Sequence, residues 1–315
     1  MMSSSPVVFA VFFTSLVGVA FAEFSFKDND GVMTVSQEGQ ELFGYQFQPL
    51  ENPVGGDKFK GSNFIHPLKT PSGFTGTDFQ PVDHLHHFGL WWPWKKIKVD
   101  GREIITWELQ KGEGLNQGRK AVPTKTGIVA ESDYLDRTAP DGPLGVLHET
   151  TQIGIENFKT TLADGYFLDF DIEHRCSTEL PVEVSKYRYS GFSIRASKDW
   201  SKDNSTILTS EGKRRLEANF TRAVWVKGEG AVPMGESAGV LMMGHPSNHA
   251  HPELLRTWDT QHNGAVFANF NPVQDASWNF EPGKAYARRY RVLVYDGEIN
   301  KEQADRLWEE YRNEK

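Results

Sequence analysis

The strongest constraint on the fold is the strict alternation of Leu168-Asp169-Phe170-Asp171-Ile172-Glu173, apolar and acidic side chains in turn. Successive side chains of a strand point to opposite faces, so this run suits a sheet with one face buried and one wet. Further runs rich in β-branched or aromatic residues cover 32–35, 41–47, 127–130, 150–155, 166–173, 182–187 and 223–226. Turn signals punctuate the gaps: Asp30-Gly31, Asp100-Gly101, Asp141-Gly142, Asp164-Gly165 and Asp296-Gly297. No strand–helix alternation of the kind that builds a parallel sheet is present. One helix is expected, at the C-terminal end. Asn300 is a good cap with Gln303 three residues on, and Ala304, Leu307, Trp308 and Tyr311 share one stripe. The expected fold is all-β, a mainly antiparallel β-sandwich of two packed sheets with a short C-terminal helix.

The chain opens with an uncharged apolar run, Val7 to Phe21, that ends in Ala20-Phe21-Ala22. A run of this length is short for a membrane span of about 20 residues, and the small-x-small ending fits a cleaved secretory signal. Residues 1–22 are therefore expected to be a signal peptide, and 23–315 one domain of a secreted or periplasmic protein. The net charge of −8 with no basic block argues against nucleic acid and against anionic membrane surfaces as partners. Cys176 is the only cysteine, so no internal disulfide can hold the core.

Six of the ten histidines fall into two groups, His84, His86 and His87, then His245, His249 and His251. Imidazole can bind a metal, shuttle a proton near neutral pH and stay uncharged while doing either. On an extended chain His84 and His86 would share one face, a common way to offer two ligands to one ion, with Asp83 or a distant group completing the set. The alternative for this segment is a polar turn whose histidines bond the backbone. The second group is flanked by Pro246 and Pro252, which predicts a stiff loop. Trp91, Trp92 and Trp94 follow the first group and Trp258 the second, and indole faces stack on sugar rings as well as filling cores. No nucleophile elbow, phosphate loop, dinucleotide fingerprint or zinc-protease motif occurs.

The segments Asp83-His84-x-His86-His87-x-Gly89-Leu90-Trp91 and Gly191-Phe192-Ser193-Ile194-Arg195 resemble the PmoA-like family of bacterial proteins. The resemblance continues through His245-Pro246-Ser247-Asn248, His251-Pro252, Asn271-Pro272 and Arg291 to Gly297. Phe88 stands where that family commonly has Arg, and Gly244 where it often has Asp. The "methane oxygenase" label of the family does not suit this chain, because a membrane monooxygenase subunit needs several spans. The resemblance implies a secreted β-sandwich, similar in sheet architecture to the galactose-mutarotase supersandwich, with histidines and a carboxylate working on a sugar.

These readings converge on a carbohydrate-active enzyme, a lyase, epimerase or hydrolase acting on a sugar or glycan. Its expected catalytic residues are His86, His87, His245, Glu149 and Arg195. Trp91, Trp92, Asn248, His251, Arg256 and Asn271 are expected to bind substrate. A divalent metal is expected at His84, His86, His245 and His249. The alternatives are a sugar-binding module without catalysis and a metal-binding exported protein.

Overall fold

In a computed structural model, residues 23–50, 55–233 and 236–314 are described; the expected signal peptide lies outside them. Among the described residues the chain builds two eight-stranded sheets and a smaller four-stranded one, with every strand pairing antiparallel. The first sheet runs in the order Phe24–Asn29, Val32–Gln37, Gln40–Gln46, Phe64–Leu68, Leu90–Trp91, Phe192–Arg195, Phe267–Asn271, Leu254–Thr257. The second runs Ser205–Thr209, Trp225–Ala231, Ser237–Gly244, Ala285–Gly297, Ala163–Cys176, Leu144–Lys159, Gly127–Asp136, Gly114–Pro123. Trp278–Phe280, Val182–Val184, Lys96–Val99 and Arg102–Ile105 form the third. The expected β-sandwich with a short C-terminal helix is what the chain forms.

The alternation at 168–173 has its predicted consequence. Leu168, Phe170 and Ile172 are buried and point into the core between the two large sheets, while Asp169, Asp171 and Glu173 face away. Val35, Phe43, Tyr45, Ile65, Leu90 and Phe192 meet them from the first sheet. Burying this much apolar surface is the main term holding the sheets together, at roughly 25 cal/mol per Å². Each of the seven expected strand segments overlaps a strand, although the real ones reach 16 residues at Leu144–Lys159.

Two turn signals, Asp164-Gly165 and Asp296-Gly297, fall inside paired strands. Gly165 lies inside a strand, paired to Phe158 and Tyr295, and a Cβ there would meet Val294 O at 2.3 Å. Glycine is needed here for close approach of two strands, not for a turn.

The helix Lys301–Tyr311 covers the outer face of the second sheet. Ala304, Trp308 and Tyr311 pack with Trp225, Leu241, Leu293 and Tyr295, and Trp308 Nε1 donates to Gly244 O at 3.0 Å. Among the described residues no helix is long and apolar enough to cross a membrane.

Candidate functional site

The first histidine group sits on two consecutive turns, not on a strand. His84 N donates to Pro81 O and His87 N to His84 O, at 2.8 and 2.9 Å. This winding overturns the expected His-x-His strand geometry and brings all three rings to one place. Ring centroids are 5.5 Å apart for His84–His86, 4.7 Å for His84–His87 and 5.0 Å for His86–His87. Gly89 ends the segment with φ +68, and a Cβ there would meet Ile65 O at 2.5 Å. Only glycine fits both demands, so the chain can turn straight from the histidines into the strand Leu90–Trp91.

Each ring has distinct surroundings. His87 is buried, stacked on Phe267 at 5.2 Å and packed against Trp91 and Trp258. Burial holds its pKa well below the usual imidazole value, with His86 and His84 adding to the effect. Burial likewise lowers His86 to about 4, helped by the nearby Lys95 ammonium. His84 is also lowered by burial, against the pull of Asp83. A desolvated imidazole favours its neutral form, so these rings offer lone pairs at physiological pH.

Asp83 is the electrostatic centre of the mouth. Both its oxygens accept from Arg195 Nη2 at 3.2 Å, and its Oδ2 lies 3.2 Å from His84 Nδ1 and 3.2 Å from His262 Nδ1. Burial raises its pKa, but Arg195 and His84 outweigh that and the net direction is down. Arg195 is buried and lies over the Trp258 ring at 4.7 Å. A pocket of about 140 Å³ opens beside the group, lined by His84, His86, His87, Lys95, Glu108, Trp107, Tyr187, Arg188 and Tyr189. Lys95 is paired to Glu108 at 2.9 Å. Burial pulls its pKa down to about 8 in spite of that partner. Arg256 Nη2 donates to Tyr189 Oη at 2.9 Å, so it braces one aromatic wall.

The second histidine group lies elsewhere. His245 bonds Ser247 Oγ at 2.7 Å and packs on Tyr311, His249 stacks on Trp278 at 4.1 Å, and His251 stacks on Trp308. Asn248 accepts from Arg289 N and donates to Arg289 O and Glu253. These contacts tie the loop to the C-terminal helix and the second sheet. The paired strands Phe267–Asn271 and Leu254–Thr257 separate the two groups. His87 stacks at the Phe267 end, and Asn248 meets Glu253 beyond the Leu254–Asn271 end. Four residue steps at roughly 3.3 Å leave about 13 Å of strand between them. The expected metal set of His84, His86, His245 and His249 is therefore not assembled. His245, His251 and Asn248 do not line the pocket, because sandwich topology sends the two loops to different ends of the same strand pair.

Other expected residues are also relocated. Trp91 and Trp92 are both buried, so neither can stack on a sugar. Adjacent strand residues do face opposite sides, but both sides are packed. Trp91 meets His87, Trp107 and Phe267, while Trp92 enters the main core and donates to Glu149 Oε1 at 2.8 Å. Glu149 is fully buried and also accepts from Asn63 at 2.7 Å, with His174 Nε2 at 2.9 Å. Burial alone would raise its pKa, but His174, the nearby Arg288 guanidinium and Asn63 hold it at about 2. It anchors the interior and does not line the pocket. Asn271 is buried and donates to Tyr187 O at 2.8 Å, which braces the pocket wall from behind.

Sequence reasoning missed His262, a lone histidine in Gln261-His262-Asn263-Gly264. His262, Asn263 and Gly264 all have positive φ, 52, 56 and 67°, and the ring meets His84 at 4.6 Å and Trp258 at 4.6 Å. The Asn-Gly pair was the only local hint. Tyr187, Tyr189, Trp107, Lys95 and Glu108 were missed as well, because only the fold gathers them.

The fold and this pocket define an antiparallel β-sandwich protein with a histidine-rich pocket packed against its first sheet. Residues 33–309 match the model of DUF6807, a family of unknown function, and the chain belongs to that family. No curated protein matches the sequence. Among solved structures the chain is similar to two GH36 α-galactosidases from Geobacillus stearothermophilus. For AgaA the identity is 11%, with 88% of this chain and 41% of that one covered and a TM-score of 0.37. For AgaB the values are 12%, 86%, 41% and 0.39. The chain thus spans about two fifths of the galactosidases' length. A galactose mutarotase related enzyme from Lactobacillus acidophilus is 8% identical, covering 86% of this chain and 97% of its own, with a TM-score of 0.30.

Proposed function

We propose that this chain is an exported carbohydrate-active enzyme that works by proton transfer in the histidine pocket. The observation that carries the reading is the convergence of His84, His86 and His87 on one pocket with two partly exposed aromatic walls, Tyr187 and Tyr189. Aromatic faces suit the apolar side of a sugar ring. His86 is the imidazole assigned as general base, and the Lys95 ammonium faces the same space, where it can stabilise a developing oxyanion. The pocket's carboxylate is committed, since Glu108 is bound by Lys95 and Lys111. Asp83 at the mouth is bound by Arg195. Glycoside hydrolysis by two carboxylates is therefore the poorer fit. Abstraction of a proton from a sugar carbon, as in epimerisation or elimination, is the better one. The apolar run at 7–21 supports export.

Proton NMR in deuterated water tests the reaction, using monosaccharides, uronates and oligosaccharides as probes. Deuterium incorporation or an unsaturated product is expected with at least one of them. His86→Gln should slow it by about 10²-fold or more while the melting temperature stays put. Saturable sugar binding with no chemical change would replace the enzyme by a sugar-binding module.

A further inference from the structure

We propose that Asp83, His84 and His262 form a divalent transition-metal site at the mouth of the histidine pocket. One oxygen and two imidazole nitrogens, Asp83 Oδ2, His84 Nδ1 and His262 Nδ1, all lie within 4.8 Å of one another. The two edges that meet at Asp83 Oδ2 are each 3.2 Å. An ion bound about 2.0–2.2 Å from each ligand needs neighbouring ligand atoms a little over 3 Å apart, so these edges already have the required length. His84 Nδ1 is shielded from solvent and makes no well-aligned hydrogen bond, despite its closeness to the carboxylate. A nitrogen and an oxygen that approach without pointing at each other are arranged for a third atom between them.

The surroundings fit the same purpose. Arg195 grips both Asp83 oxygens at 3.2 Å, and Trp258 packs against His84 and His262 at 4.8 and 4.6 Å. Such outer partners fix ligand orientation in metal sites. The left-handed backbone at His262 and Asn263 is costly for residues other than glycine, and it is what swings the His262 ring over Asp83. Gly264 locks the turn, because a Cβ there would meet Lys202 Cβ at 2.5 Å. Two imidazoles with one carboxylate select zinc, manganese, iron or cobalt over calcium or magnesium. The side chains of Asp83 and His262 keep 27% and 35% exposure, which leaves the outward coordination positions to water or a substrate oxygen. The site adjoins the proposed reaction pocket through His84 but does not depend on the substrate being a sugar.

Tag-free protein stripped with a chelator and titrated calorimetrically with Zn²⁺, Mn²⁺ and Co²⁺ tests the site directly. One ion per chain is expected, with visible d–d absorption in the cobalt form. His262→Gln, a surface substitution, should weaken binding at least about tenfold. Asp83→Asn should do the same with near-native shape, and circular dichroism should show both variants folded. His245→Gln should bind as the parent does. Absence of stoichiometric uptake of any of the three ions would overturn the proposal, as would parental affinity in both His262→Gln and Asp83→Asn. Metal binding without sugar turnover would leave this site standing and remove the enzyme reading, and turnover without metal would do the reverse.

Discussion

Glu253 shows how a single buried group can govern the response to pH. It is fully enclosed, with the Tyr290 hydroxyl donating at 2.9 and 3.1 Å and Asn248 Nδ2 at 3.0 Å. Burial pushes its carboxyl up to about 7, and the opposing pull of Tyr290, Arg288 and Asn248 does not restore it. In the unfolded chain an ordinary glutamate titrates near 4.3. Between those two values the native state holds a proton that the unfolded state has released. The stability this contributes is fully present below the unfolded value and is lost as pH rises through about 7. The window is worth roughly 4 kcal/mol. The depressed imidazoles act the other way, since His86 and its neighbours gain native stability as pH rises through the ordinary imidazole value. Urea denaturation at pH 5 and pH 8 should therefore give the parent a less favourable change with rising pH than Glu253→Gln, the difference between the two proteins being the Glu253 contribution. An identical pH response in both would mean that Glu253 titrates as in the unfolded chain.

The C-terminal helix is the element most fully specified by its own residues. Asn300 Oδ1 accepts from Gln303 N at 2.9 Å, and Gln303 Oε1 accepts from Asn300 N at 2.8 Å, the reciprocal pair that closes a helix start. Asn300→Ala should lower stability by about 1 kcal/mol, read as a shift of the urea midpoint with an unchanged slope. A larger loss would mean that the cap also holds the adjoining strand end. The histidine turn is the opposite case. Its sequence fits a strand as well as a turn, and the choice falls to contacts from outside it. Gln80 N donates to His87 O and Gly89 N to Asp78 O, which folds the segment back on its own approach.

At the scale of the whole molecule, the two histidine groups are separate pieces of architecture. One borders a pocket beside the first sheet, and the other fastens a loop to the helix on the second. Sites this far apart with no shared partner should not couple. Melting curves of His86→Gln, His245→Gln and the double variant should therefore give stability changes that add within about 0.5 kcal/mol. His245→Gln is expected to be the more destabilising single change, since it loses the Ser247 bond and the Tyr311 packing. Coupling well beyond that margin would reinstate contact between the groups.

Local sequence determined what local physics can decide. The alternation at 168–173 dictates a one-face strand, Asp30-Gly31 and Asp100-Gly101 dictate tight hairpins, and the Asn300 cap with its apolar stripe dictates the helix. His84, His86 and His87 stood out in the sequence because their segment is unusual in itself, and the fold sets all three rings beside one pocket. What the tertiary structure alone decided is which distant segments share a space. It brought the isolated His262 to Asp83 and His84, gathered Tyr187, Tyr189 and Lys95 around the pocket, and sent His245 and His249 away. It also buried Glu149, Trp91 and Trp92, which composition alone would allow at a surface. The cause is the long-range pairing of antiparallel strands. Register sets which ends meet, and a residue's own neighbours carry no record of that.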